Sequence, residues 1–261
     1  MFIRVRTILV GLSLVLPPGL RAQAPPCASS NALVRLDHAV VVVRNLDTAA
    51  ARFAALGFRF KLGRLHPDSI LNRHIKFRDG SELELMTVAG TPISQMARDY
   101  AALLAAGEGG VYAALWTTDL APVRAAAERL GEPRFTQAGA WQFLSLPGVH
   151  DARAVFFGAG GLSANDPDSV LAHPNKAQRL AAVWLEAGPG LDTLSTALGA
   201  HVCGAVRLPD GRSGVRWGLS QGTLVLVRGG TGRVLGVELD RSTSTEPRLH
   251  EPLPGFWILL R

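Results

Sequence analysis

A chain of 261 residues with 27 Lys and Arg against 21 Asp and Glu carries a formal charge of +6, but Arg4, Arg6 and Arg21 fall in the first 24 residues with no acid beside them, so the remainder carries +3. That excess is too mild to argue for a nucleic-acid partner, and the chain has no zinc-finger spacing, RNA-binding signature or dense basic arm. Its 2 cysteines exclude a four-cysteine zinc knuckle.

In chain order, Arg4 and Arg6 precede an uncharged apolar run from Thr7 to Leu16, halted by Pro17 and Pro18. This is the pattern of a Sec-type secretory signal over residues 1–24, cut after Ala22 or Ala24 and leaving a periplasmic or secreted protein. The run is shorter than the roughly 20 residues a membrane helix needs, so no stable membrane anchor is expected once the signal is gone. Residues 25–32 read as a flexible N-terminal segment. In an oxidising compartment Cys27 and Cys203 can form a disulfide; the alternative is a flexible N-terminal thiol and a buried core thiol.

A strand from Leu36 to Val43 places His38, Val40 and Val42 on one face. Asn45-Leu46-Asp47 opens a helix in which Leu46, Ala49, Phe53 and Leu56 recur at helical spacing, and Gly57 suits its left-handed end. Phe58 to Lys61 is the candidate second strand, and His66 lies on a loop. Arg73 to Arg78 alternates, with Ile75 and Phe77 on one face and His74, Lys76 and Arg78 on the other. Asp79-Gly80 signals a tight turn into a partner strand, Ser81 to Met86, where Glu82 and Glu84 share a face and Leu83 and Leu85 pack inward.

The pattern then repeats. Asp119-Leu120-Ala121-Pro122 opens a second helix that ends at Leu130-Gly131, offset by 74 residues from the first at both marks. Gly158 to Asp168 is loop-forming and separates two halves, with a linker over residues 161–178. A third copy begins at Arg179, with a helix from about Leu191 to Leu198-Gly199. A fourth begins at Arg233 and leaves almost no room for a helix before Phe256-Trp257-Ile258. The expected organisation is modules 1 and 2 over residues 33–160, then module 3 and a truncated module 4 over residues 179–261. One half-open sheet cannot cover its own face, which is a physical reason for modules to pair.

The stretch Leu36-Asp37-His38, continued by Ala39 to Asp47 and ending in Glu82-Leu83-Glu84-Leu85, resembles the glyoxalase-like branch of the vicinal oxygen chelate superfamily. The resemblance implies an α+β fold of tandem βαβββ modules, of the glyoxalase/bleomycin resistance/dioxygenase type, paired into cup-shaped half-barrels. It also implies that His38 and Glu84 face into the cup, where they hold a divalent metal or serve as an acid-base pair. Seventy-four residues on from His38 stands Tyr112, and the match to Glu84 falls near Val155 or Phe156. In module 3 the matching places are Ala182 and Leu226, so both copies lack the pair. A divalent site normally takes three or more protein ligands, and a third would come from His66, His74, Tyr112 or the His173-Pro174-Asn175 turn.

His66, Asn72, His74 and Lys76 are expected to line a charged half of the cup. Tyr112 and Trp116, with Trp141, Phe143, Phe156 and Phe157, would make an apolar half. Such a cup suits a small amphipathic ligand, and Arg59, Lys61, Arg64, Arg73, Lys76 and Arg78 would support an anionic group on it. There is no Gly-x-Ser-x-Gly elbow, His-Glu-x-x-His, Walker loop or dinucleotide fingerprint. Two readings stand side by side. One is a lyase, isomerase or dioxygenase acting on a small oxygenated substrate; the other is a metal-free protein of the same fold that binds or sequesters a small molecule.

Overall fold

A computed structural model describes residues 27–160, 166–229, 231–243 and 246–261. The segment 1–24 expected to direct export lies outside the described residues, and among them no helix is long and apolar enough to cross a membrane.

Module 1 consists of β1 (Arg35–Val42), α1 (Leu46–Ala55), β2 (Lys61–Leu65), β3 (Ile70–Lys76) and β4 (Glu82–Val88). After α2 (Gln95–Ala105), module 2 repeats the order with β5 (Gly109–Trp116), α3 (Leu120–Ala127), β6 (Arg134–Ala138), β7 (Trp141–Ser145) and β8 (Val155–Gly160). A short α4 (Asp168–Leu171) precedes module 3, made of β9 (Ala177–Ala187), α5 (Pro189–Ala197), β10 (His201–Arg207), β11 (Ser213–Gly218) and β12 (Thr223–Arg228). Among the described residues module 4 keeps only β13 (Val234–Arg241), β14 (Arg248–Leu253) and β15 (Phe256–Leu260).

The helices begin where the local chemistry caps them. Asn45 accepts from the Thr48 N–H at 2.8 Å, Asp119 accepts from the Ala121 N–H at 2.9 Å, and Pro189 occupies the first turn of α5. Gly57 follows α1 with φ +84°, in the left-handed region that a side chain disfavours.

The strands divide into two sheets, β2-β3-β4-β1-β5-β8-β7-β6 and β10-β11-β12-β9-β13-β15-β14, joined by one bridge between Gly110 and Val234. In each sheet the first strands of two modules run antiparallel side by side. The first and last strands of each module run parallel. His38 pairs with Ala114 and Val40 with Tyr112, a register that the 74-residue offset maps onto itself.

One core lies between the sheets. Ala39, Val41, Leu83 and Leu85 from the first sheet and Val183, Leu185, Val237 and Leu239 from the second pack with α1, α3 and α5. Phe53, Phe77, Phe157 and Phe256 are fully buried, each contributing about 1.5–3 kcal/mol by leaving water. Since side chains alternate along a strand, the remaining residues form an outer face on each sheet. On the first sheet this face carries Val40, Val42, Ile70 and Met86, against which α2 lays Ala97 and Tyr100. On the second it carries Ala182, Trp184, Val225 and Val227. This is the α+β arrangement of tandem modules, with the outer faces as the two cups.

Several expectations change. The segment 25–32, read as flexible, is pinned over its described part. Ser29 N–H donates to Leu219 O at 2.8 Å and its hydroxyl to Gly199 O at 2.7 Å, so these small polar residues spend their hydrogen bonds on the protein. Cys27 is disulfide-bonded to Cys203 on β10, with Cα atoms 5.6 Å apart. The second strand begins at Lys61 and not at Phe58, because Phe58 is buried against Phe53 and the Arg59 N–H donates to His173 Nδ1 at 3.0 Å. The described part of the 161–178 linker is docked on module 1, for His173 is buried between Phe58 and Phe77. Phe157 faces the shared core and leaves Phe156 to the outer face. Helix α2, between modules 1 and 2, was not expected from the repeat; Ser94 caps it by accepting from the Ala97 N–H at 2.9 Å.

Candidate functional site

The polar residues of the first cup come together through cross-strand register. On β1 and β4, His38 pairs with Glu82 and Val40 with Glu84; on β3 and β4, His74 pairs with Glu84 and Lys76 with Glu82. Because paired residues share a face, His38, Glu82, Glu84, Asn72, His74 and Lys76 all project outward. A register shift in β1 between Leu36 and His38 adds Asp37 to this set.

His38 and Glu84 are brought together, Nε2 to Oε2 at 3.8 Å. That is too long for a hydrogen bond. His38 Nδ1 lies 2.9 Å from Asp37 Oδ2, and Asp37 is in turn held by Arg35 at 2.7 Å. Asn72 donates to Glu84 Oε1 at 2.7 Å, lies 3.3 Å from His66 Nε2, and accepts from the Arg64 N–H at 3.1 Å. Gly63 makes room for this amide, since a Cβ there would lie 2.0 Å from Asn72 Oδ1. Lys76 Nζ and His74 Nδ1 approach Glu82 Oε2 at 2.5 and 3.3 Å.

Charge follows from these contacts. Burial pulls the His38 imidazolium down, but the Asp37 hydrogen bond and the charges of Asp37, Glu82 and Glu84 outweigh it and raise its pKa to about 9. Burial would raise the Glu82 carboxyl, yet the His74 hydrogen bond and the charges of His38, His74 and Lys76 hold it well below the usual carboxylate range. At neutral pH His38 is therefore a cation with both ring nitrogens as donors.

Module 2 supplies rings. Phe156 meets His38 edge-on with centroids 5.5 Å apart and Tyr112 at 5.9 Å, while Tyr112 meets Tyr100 of α2 at 5.8 Å. Burial raises both tyrosines above their ordinary value, so both stay neutral phenols. Trp116 and Trp141 pack at 5.3 Å beside Gly158, where a Cβ would lie 2.4 Å from the Trp116 ring.

The residues present do not fit the divalent metal that the resemblance implies. β5 and β8 pair Ala114 with Phe156 as β1 and β4 pair Val40 with Glu84, so Phe156 holds the place of Glu84 and Tyr112 that of His38. In module 3 the place of Glu84 belongs to Val225, paired with Trp184, and not to Leu226. Of the proposed third ligands, His66 is engaged with Asn72, His74 with Glu82, and Tyr112 is a neutral phenol among rings. His173 sits in the core, with Nδ1 accepting from Arg59 and Nε2 donating to Lys76 O at 2.9 Å. Among the described residues no three His, Cys, Asp or Glu side chains are grouped to hold a metal.

Of the basic set Lys76 stays in the cup, paired with Glu82, and four others engage elsewhere. Arg73 pairs with Asp47, Arg78 with Asp168 at 2.8 Å, Lys61 with Asp166 at 2.6 Å, and Arg59 reaches Ser169 O. Sequence reasoning gave Asp37 and Glu82 no role. Only the period-two spacing of Glu82 and Glu84 pointed to the second of these, and nothing pointed to the shift that recruits Asp37.

The sequence model of a family described as glyoxalase-like domain matches residues 36–199. No curated protein matches the chain in sequence. Among solved structures, a hypothetical protein from Staphylococcus aureus aligns with TM-score 0.60 and 14% identity over 87% of this chain and 98% of its own. The 2,3-dioxygenase LapB from Pseudomonas sp. KL28 aligns with TM-score 0.58 and 16% identity over 88% and 93%. Homoprotocatechuate 2,3-dioxygenase from Arthrobacter globiformis gives 0.57 and 13% over 91% and 82%. At these identities the structures speak for the fold, and the family match spans more than half of the sequence. The chain therefore belongs to the glyoxalase-like domain family of the vicinal oxygen chelate superfamily.

Proposed function

We propose that the first cup binds a small neutral molecule bearing a hydroxyl on an aromatic or apolar body, without a metal. The observation that carries this reading is the 3.8 Å gap between His38 Nε2 and Glu84 Oε2. The other His38 nitrogen is turned to Asp37, and the other Glu84 oxygen takes Asn72. One donor and one acceptor thus stand side by side, unpaired with each other, next to the ring of Phe156. A hydroxyl, which accepts and donates at once, satisfies both. An anion there would meet Asp37, Glu82 and Glu84, so the expected anionic group is a poor match for this cup.

The test is titration of the protein with 4-methylphenol and 4-methylbenzoate, with and without EDTA. Saturable binding of the phenol, indifferent to EDTA and weakened in His38→Ala and Glu84→Gln, supports the reading. Dependence on an added divalent ion, or preference for the benzoate in the first cup, overturns it. A second reading is favoured by the charged state of His38, which equips it to donate to a carbonyl oxygen while Glu84 takes a proton from the adjacent carbon. Turnover of a ligand in the same titration distinguishes an isomerase or lyase from a binding protein.

The same proposal includes export with removal of residues 1 to about 24. It is motivated by the apolar leader and by the Cys27–Cys203 disulfide, which belongs in an oxidising compartment. Intact mass of the exported protein tests it. A soluble cytoplasmic pool retaining Met1 would sink it.

A further inference from the structure

We infer that the second cup is a separate small-molecule site, built for a compact carboxylate with an apolar or aromatic body. Its outer face holds a cavity of about 210 Å³ walled by Trp184, Leu208, Leu249 and Leu259. Glu238, Arg207 and Arg261 supply its polar groups. Apart from Trp184, these residues lie beyond the stretch 36–199 that the family matches, and the inference does not rest on the reading of the first cup.

Glu238 is a carboxylate only 1% exposed, and its partners fix the walls. Its Oε1 accepts from the Trp184 indole at 2.9 Å and from Arg216 at 2.6 Å, while Arg261 stands 3.1 Å from Oε2. The indole hydrogen bond locks the ring of Trp184. Gly236 lets that ring lie on β13, since a Cβ there would come within 2.9 Å of Cε3. A ring held in this way is a rigid surface for an apolar or aromatic body.

Charge selects the other end of the ligand. One carboxylate faces two guanidiniums, and Arg207 brings a third to the wall, so the cavity is short of negative charge. Arg261 is 44% exposed and meets Glu238 through one nitrogen, which leaves other donors of its fork facing outward. A carboxylate accepts from such a fork with charge-assisted hydrogen bonds. The volume lies below the roughly 300 Å³ where drug-sized sites begin, so the body is small.

Calorimetric titration of the full mature chain with phenylacetate and with 2-phenylethanol, near-isosteres that differ in charge, tests the site. Phenylacetate should bind at one site, and the alcohol about tenfold more weakly or worse. Arg207→Gln and Arg261→Gln should each weaken phenylacetate by about tenfold, and Arg207→Gln should do so while unfolding at the wild-type temperature to within a few degrees. Excess 4-methylphenol should not displace it. Equal affinity for acid and alcohol, no binding of phenylacetate, indifference to both arginine variants, or competition by 4-methylphenol would each overturn the inference. Arg207→Gln is the decisive variant, because Arg207 is exposed and its loss strands no buried partner.

Discussion

In the first cup three carboxylates, Asp37, Glu82 and Glu84, surround His38, whereas on the outer face of the second sheet each buried carboxylate is clasped by arginine, Glu238 by Arg216 and Arg261 and Glu186 by Arg212. The backbone beneath is the same. His38 pairs with Ala114 as Ala182 pairs with Glu238, and Val40 pairs with Tyr112 as Trp184 pairs with Gly236. At these matched positions the ionisable side chain stands on the first strand in one pair, His38, and on the second strand in the other, Glu238. The modules can diverge in this way because the fold rests on the core between the sheets, to which neither outer face contributes. The two cups then differ in what is left over. In the first a donor and an acceptor remain unmatched; in the second the carboxylate is saturated and cationic capacity remains.

The largest expected effect breaks the clip that ties the N-terminal segment to the second sheet. Cys27 and Cys203 are separated by 176 residues, and the chain-entropy model assigns a loop of that size about 5 kcal/mol. The variant Cys203→Ser should lower the stability measured by urea unfolding by up to that amount. A loss under about 1 kcal/mol would mean that the hydrogen bonds of Ser29 hold the segment unaided.

Next in size is the contrast between buried carboxylates. Glu238→Ala strands two guanidiniums and an indole N–H and should cost about 3–5 kcal/mol. Glu84→Gln keeps an acceptor for Asn72 and should cost under about 1 kcal/mol. Comparable losses in the two variants would show that the cups do not differ as locked and open sites.

The repeat was legible because helical spacing survives in both copies, Leu46, Ala49 and Phe53 in one and Leu120, Val123 and Ala127 in the other, and all six are buried. His38 and Glu84 stood out because the family resemblance named their places, and alternation along β4 sets Glu84 opposite the inward Leu83 and Leu85. Asp37 was not legible, since its place depends on a register shift that no local pattern announces. Nor was the Glu238 cluster, whose partners come from β9, β11 and the end of the chain and meet only through tertiary pairing. Residues 25–32 read as flexible, yet Ser29 is buried by contacts with residues far away in sequence.

Smaller in energy, but sharper for function, are His38→Ala and Glu84→Gln as tests of the first cup. Each should weaken 4-methylphenol by about tenfold, the worth of one hydrogen bond to a charged group, with the unfolding transition nearly unmoved. If both variants melt far below wild type and keep their affinity, the pair is structural and the difference between the cups lies elsewhere.

Two histidines report on the two sheets in one NMR titration. His38 has its pKa raised to about 9, where burial is outweighed by Asp37, Glu82 and Glu84. His250 on β14 is pushed below its ordinary value, first by burial and then by the charges of Arg248 and Arg241. The sign of the linkage follows for His38. Its folded pKa lies above the unfolded value of about 6.5, so the stability it contributes is complete below that pH and disappears as pH rises through about 9. His250 has the opposite sign, favouring the neutral ring, so its small contribution is lost as pH falls through the ordinary histidine range. The His38 Cε1 proton should hold its imidazolium shift from pH 6 to 8 and titrate near 9. Glu82→Gln removes one of the charges that hold the proton and should lower that midpoint, with no effect on His250. If His38 and His250 titrate together near the ordinary value, the carboxylates do not act on the imidazole and the first cup presents no fixed cation.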